Sequence, residues 1–243
     1  MSMERILITG ASRGIGREIA ISSARTGRFE HIILNCRSSE ALLDEVAQAI
    51  YEVNPSIRCS LSLGDVGDYS YIQELHEQYG DIDVLINNAA ISLTGLLIDM
   101  TPDEWQSIIS TNITSIYNTC HEYLPAMISA KSGQIINISS VWGIAGASCE
   151  VAYSATKGAI NAFTKALAKE VAPSNIQVNA LALGIVDTTM NSHLTKEDID
   201  NICEDIPIGR MLQPEEVGDT VTKLLQMPAY LTGEVITIDG GWI

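Results

Sequence analysis

Five cysteines, Cys36, Cys59, Cys120, Cys149 and Cys203, are scattered over 243 residues without one C-x-x-C pair. That argues against a disulfide framework and fits reduced thiols in a cytosolic protein. Basic residues are scarce: 14 Lys and Arg stand against 30 Asp and Glu, a formal charge of -16. Such a balance opposes long-range attraction to nucleic acid or to an anionic membrane. No apolar run reaches the ~20 residues that span a bilayer, and Met1 to Gly10 leads into the strand-like ILITG without a signal-peptide pattern. The four histidines, His31, His76, His121 and His193, are too dispersed for a metal site by spacing. The expectation is a cytoplasmic protein with no metal, no nucleic-acid partner and no membrane partner.

What is present is an alternation of strand-like and helical runs in a chain that is 46% hydrophobic, the pattern of a single α/β domain. A chain of this size buries roughly 70% or more of its unfolded surface, so its core needs no staple. The first strand-like run, Arg5 to Thr9, leads into a G-x-x-x-G-x-G loop and a helical pattern to about Thr26. Glycine at Gly10, Gly14 and Gly16 lets the backbone turn and approach a pyrophosphate, whose charge the helix N–H groups can bind. Ser12, Arg13 and Ile15 lie in the same loop. Taken alone, it is equally an ordinary strand-helix turn.

The second strand, His31 to Asn35, ends in Cys36-Arg37-Ser38-Ser39, with no acid where a ribose 2′-hydroxyl would be bound. Arg37 and Arg13 instead suit a 2′-phosphate, which favours NADPH/NADP+ over the non-phosphorylated cofactor; alternatively both are solvated surface charges. Asp65, after the third strand, could accept from the adenine amino group or simply form a turn. Asn87-Asn88-Ala89-Ala90 follows the fourth strand with small side chains that leave room for a flat ring. Thr101, Pro102, Asp103 and Glu104 start a helix expected to run to about Ser129, with Asn112 inside it.

Ser140 stands at the carboxyl end of the fifth strand, Gln134 to Ser139, where open α/β sheets place their sites. Tyr153 and Lys157 are four apart and share a helix face. A phenol with an ordinary pKa near ~10 benefits from a neighbouring cation, and Lys157 supplies one. Ser140 can steady a carbonyl oxygen as hydride arrives. The glycines and small residues between them let the chain loop back. The chemistry read from this set is carbonyl reduction.

At this point the chain resembles the short-chain dehydrogenases/reductases from Ile6 to Trp242. The matching residues are TGASRGIG (9–16), DV (65–66), NNA (87–89), Asn112, Ser140, YSATK (153–157), Asn179, GIVDT (184–188) and DGG (239–241). The resemblance implies a doubly wound, Rossmann-type sheet of seven parallel strands. It implies Tyr153 as general acid, Ser140 orienting the carbonyl, Lys157 binding the nicotinamide ribose and tuning Tyr153, and Asn112 holding a relay water. Val66, Asn87 and Ala89 fall in its cofactor motifs, and main chain at Val186 with the Thr188 hydroxyl would meet the carboxamide. It also implies a mobile lid at about 188–210 and a homotetramer, with the C-terminal tail reaching a neighbouring subunit. Ala90 and Leu183 depart from the usual glycine and proline, and Leu183 is expected to loosen the loop it precedes.

The overall similarity is to 3-oxoacyl-[acyl-carrier-protein] reductases, while residues 142–153 also look like reductases that finish the 5-aminopentanone modification on elongation factor P. The ketone is thus small, carrier-borne or protein-borne. The segment after Ala172 lacks the bases an acidic carrier would want, and Lys131 is the nearest candidate. A non-catalytic NADPH-binding module is the alternative of another class, against which the intact Ser140, Tyr153, Lys157 and Asn112 argue.

Overall fold

A computed structural model describes residues 4–243. Seven strands, β1 (Glu4–Ile8), β2 (Phe29–Cys36), β3 (Arg58–Leu63), β4 (Val84–Asn87), β5 (Gly133–Ser140), β6 (Ile176–Leu183) and β7 (Val235–Ile238), pair in the order β3-β2-β1-β4-β5-β6-β7. Every pairing is parallel. The helices are α1 (Gly14–Arg25), α2 (Glu40–Val53), α3 (Tyr69–Tyr79), α4 (Pro102–Ile109), α5 (Ser115–Ala130), α6 (Trp142–Ala145), α7 (Val151–Val171), α8 (Lys196–Asp205) and α9 (Pro214–Leu224). Among the described residues no helix is long and apolar enough to cross a membrane.

Strand periodicity sorts the core into two layers. Ile6, Ile8, Ile32 and Leu34 pack with Ile19, Leu43, Val46, Ile50, Val217 and Val221 from α1, α2 and α9. Leu7, Ile33 and Leu85 point the other way, into Ile72, Leu75, Tyr123, Met127, Ile160 and Val171 from α3, α5 and α7. Strand order reverses between β1 and β4, so the carboxyl ends of β1, β4 and β5 flank the crevice of a doubly wound sheet.

The helix expected from Pro102 to about Ser129 is broken. Its start is as read, with a capping box in which Thr101 Oγ1 accepts from the Glu104 N–H and Glu104 Oε2 accepts from the Thr101 N–H. A π turn at Ser110–Thr114 then separates α4 from α5. Such turns skip a helical hydrogen bond, and they collect at functional sites. Leu183 is the last residue of β6, paired with Ser140 and Ile238, and its carbonyl accepts from the Val141 N–H at 2.9 Å. Ala90 keeps an ordinary φ, since the positive-φ residues other than glycine are Lys131, Cys149 and Asn175.

Candidate active site

The glycine loop closes onto the chain after β4. Asn88 Nδ2 donates to the carbonyls of Thr9 and Gly10, both at 3.0 Å, and Thr9 Oγ1 accepts from the N–H groups of Asn88 and Ala89. Gly10 adopts φ +64, and Cβ atoms at Gly10 and Gly16 would strike Ala89 Cα at 2.8 Å and the Gly10 carbonyl oxygen at 2.3 Å. The 184–188 loop reaches the same place, since a Cβ on Gly14 would lie 3.2 Å from Thr188 Cγ2. Arg13 occupies the N-cap of α1 in extended conformation with no side-chain cap, while Ser12 and Ile15 are half-buried around it. Glycines that no Cβ could replace, beside an uncapped helix start, form the cradle a dinucleotide pyrophosphate requires. The residues present therefore fit such a cofactor.

At the far end of this cleft the sequence expectations meet in a way not foreseen. Arg37 and Asp65, assigned separately to a phosphate and to adenine, pair with each other, Nε to Oδ2 at 3.3 Å. Asp65 Oδ1 also accepts from the Gly67 N–H at 2.8 Å. They line a cavity of about 290 Å³ with Asp103, Gln106, Ser107, Ser110 and Thr111 of the helix start and π turn. Val66 is buried, which leaves its main chain for any contact with a nucleotide. The Val186 carbonyl accepts from Asn191 Nδ2 at 2.7 Å, and among the described residues the Val186 N–H has no partner.

Ser140, Tyr153 and Lys157 converge at the end of β5. Ser140 Oγ accepts from the Trp142 N–H at 3.2 Å, which leaves its own O–H to donate elsewhere. The Lys157 ammonium is buried, donates to the Ile138 carbonyl at 2.8 Å and sits 5.3 Å from the centre of the Tyr153 ring. Burial lowers its pKa to about 8. Burial first, and then the Glu150 charge, push the Tyr153 phenol above its ordinary value, while the Ser140 hydroxyl draws it down. A cation at this distance from the ring favours the phenolate.

Two asparagines commit their side chains to partners inside the protein. Asn112 is fully buried in the π turn; Nδ2 donates to the Ile91 carbonyl and Thr156 Oγ1, and Oδ1 accepts from the Ile91 N–H. Its amide thus clamps the chain leading out of Asn87–Ala90. Asn87 turns its side chain inward, donating to Asn137 Oδ1 and accepting from Thr119 Oγ1. Any contact it makes with a cofactor is through main chain.

Sequence reasoning missed Asn161 and Ser139. Ser139 Oγ donates to Asn161 Oδ1 at 2.7 Å, and Asn161 Nδ2 donates to the Gly143 carbonyl at 3.1 Å, tying the serine turn to α7. Asn161 lies four residues beyond Lys157 on the same helix face, which was the available signal. Gly143 permits the contact: a Cβ there would fall 2.5 Å from the Lys157 carbonyl carbon. In the C-terminal tail, Trp242 lies against Trp142 at 4.9 Å between ring centres. The apolar stripe Leu194, Ile199 and Ile202 is half-buried and joins neither core layer. Among the described residues no group of three or more His, Cys, Asp or Glu is arranged to hold a metal.

Comparison with known proteins agrees with this geometry. The short chain dehydrogenase family matches residues 4–199. An oxidoreductase of Bacillus subtilis, YmfI, is 39% identical over 97% of both chains. The 3-oxoacyl-[acyl-carrier-protein] reductase FabG of Chlamydia trachomatis is 38% identical over 97% of this chain and 95% of its own. A variant of actinorhodin polyketide ketoreductase, solved with NADPH, superposes with a TM-score of 0.91 at 32% identity, covering 99% of this chain and 97% of that one. With a doubly wound sheet, a glycine cradle and a Ser-Tyr-Lys constellation at one strand end, the chain belongs to the short-chain dehydrogenase family of oxidoreductases.

Proposed function

We propose that the protein reduces a ketone to a secondary alcohol with NADPH, and that Ser140, Tyr153 and Lys157 carry the reaction. The reduced nicotinamide, when bound, supplies the hydride. Ser140, whose oxygen is occupied by the Trp142 N–H, donates its hydrogen to the ketone oxygen and steadies the charge developing there. Tyr153 gives that oxygen its proton as general acid. Lys157, anchored at Ile138, keeps two further N–H groups for ribose hydroxyls. The uncapped α1 start and Gly10–Gly16 would hold the pyrophosphate, and Arg37, after release from Asp65, the 2′-phosphate. The 188–210 segment closes over the ketone, and the exposed Trp105, Tyr117 and Ile128 suit burial in a homotetramer.

The juxtaposition of Ser140, Tyr153 and Lys157 carries this reading. The named relatives favour a 3-oxoacyl thioester as substrate. A protein-borne ketone such as an aminopentanone is favoured by charge. Lys131, the nearest basic residue expected to meet an acidic carrier, precedes the amino end of β5, whereas Ser140 closes its carboxyl end. The eight residues of β5, ending in Ser140, lie beyond Lys131, roughly 25 Å of chain. The test is loss of NADPH absorbance with an acetoacetyl thioester and a panel of methyl ketones. Tyr153→Phe is expected to lower kcat by about 10²–10⁴ while NADPH binding, read by nucleotide fluorescence, stays within about twofold. Tight NADPH binding without turnover on any ketone would instead identify a binding module.

A further inference from the structure

The ketone side of the site contains one carboxylate that the reaction above does not use. Glu150 is the N-cap residue of α7, yet its side chain makes no capping hydrogen bond. Its main chain is fully engaged, the N–H to the Ala147 carbonyl and the carbonyl to the Ser154 N–H. The carboxylate is therefore not spent on the helix. It is half-buried. Burial pushes its pKa up, while His193 of the 188–210 segment and the Thr94 hydroxyl draw it down. A main-chain bond from the Gly95 N–H to the Cys149 carbonyl, 2.8 Å, holds the Thr94 loop against the Glu150 loop. The Thr94 loop thus meets the Glu150 loop, and the 188–210 segment comes near enough for His193 to act on the carboxylate.

Nothing in those segments neutralises it permanently. Among the described residues no Lys or Arg forms an ion pair with Glu150. Residues 91–100 and 141–152 contain no Lys or Arg, and 185–208 contain Lys196 alone, against Asp187, Glu197, Asp198, Asp200, Glu204 and Asp205. A half-buried charge with no Lys or Arg beside it is costly even with the Thr94 hydroxyl as a partner, and this one also opposes ionisation of Tyr153, one helical turn away. Both penalties are relieved when a cation lies against the carboxylate. A carboxylated or phosphorylated substrate arm would instead meet like charge.

Resting on the ketone-reduction reading, we propose that Glu150 is the specificity-determining residue of the substrate side. Its carboxylate receives an ammonium group on the same molecule that presents the ketone to Tyr153. Recognition and chemistry are thereby coupled, since the arriving cation removes the charge that resists proton release from the phenol.

The experiment compares kcat/KM for a methyl ketone bearing a terminal trimethylammonium group with that for its uncharged tert-butyl isostere. The expected wild-type preference for the cation is about fivefold, the upper end of the range of a partly exposed ion pair. Glu150→Gln is expected to bring the ratio within about twofold of unity, and Glu150→Lys to favour a carboxylate-bearing ketone of the same length. A wild type indifferent to the charge, or a preference that survives in Glu150→Gln, overturns the proposal. Failure to reduce either ketone would count against the ketone-reduction reading instead. Binding of the cationic ketone is then read from tryptophan fluorescence, Trp142 lying in the same loop as Glu150. Binding lost in Glu150→Gln supports the assignment and equal binding overturns it, with circular dichroism showing that both variants are folded.

Discussion

A methyl group added at Gly16 would lie 2.3 Å from the Gly10 carbonyl oxygen and 2.6 Å from Asn88 Nδ2, whereas one added at Gly95, Gly146 or Gly209 would meet no atom within 4 Å. The first position belongs to the dinucleotide half, the other three to loops around the ketone half. In the dinucleotide half, glycine lets two backbone segments touch, and Asn88 and Thr9 lock them together. In the ketone half those three glycines face open space even where main chain bridges the loops from Gly95 to Cys149, and α8 buries no residue. One half is shaped by backbone contact, which suits a ligand common to many enzymes. The other is shaped by side chains on open loops, which is where a substrate of its own can be selected.

The largest expected break in this contrast comes from Gly16→Ala. The carbonyl it strikes is main chain and cannot move without losing the Asn88 bonds, so a destabilisation of about 3 kcal/mol or more is expected. Thermal unfolding would show it as a fall of roughly 6–12 °C for a chain of this length. Gly95→Ala, at an ordinary φ in open space, is expected to change stability by less than about 1 kcal/mol, in the stabilising direction. Equal melting shifts in the two variants would erase the distinction between the halves.

Lys157 lies where the halves meet, and its burial gives a pH signature. Its folded pKa of about 8 lies below the ordinary 10.5, so between those values the unfolded chain binds more protons than the folded one. Stability then rises with pH. The cost of the buried ammonium is complete below about pH 8 and is gone above about pH 10.5, a change on the order of 3 kcal/mol. Denaturant unfolding of the wild type and Lys157→Met across this range should show the wild type gaining on the variant by that amount. A constant difference would mean that the ammonium is hydrated in the folded state.

The contrast between the halves also explains what the sequence revealed. Strands, glycine loop and the Tyr153–Lys157 pair were legible because each depends on short-range spacing: period two along β1 and β2, and four residues along α7. The break in the 102–130 helix was not, because a π turn adds one residue to a pattern whose apolar spacing continues on both sides. Asn87 was read toward the cofactor from the NNA motif (87–89), which does not say where its side chain turns. Its partners Asn137 and Thr119 come from other elements. The contact of Trp242 with Trp142 joins residues a hundred apart and leaves no local trace. Glu150 likewise looks like an ordinary helix start until its carboxylate is found without a capping bond.

The smallest expected effect concerns Arg37, where the sequence supplied both partners and the structure supplied their pairing. The Arg37 side chain is 71% exposed and that of Asp65 is 36% exposed, so their ion pair contributes at most about 1 kcal/mol. A 2′-phosphate offers the guanidinium shorter, doubly charged-assisted bonds of about 1.5–3 kcal/mol, enough to draw it from Asp65. Arg37→Asp should therefore weaken NADPH by roughly ten- to a hundredfold relative to NADH, read as the ratio of their dissociation constants. Asp65→Asn separates the two roles given to that carboxylate. If it merely competes for Arg37, its loss raises the preference for NADPH by a few-fold; if it holds adenine, both nucleotides weaken together and the ratio stays where it was. An Arg37 variant with unchanged NADPH affinity would leave the guanidinium as a surface charge, and the choice of nucleotide would then have to come from Arg13 at the glycine loop.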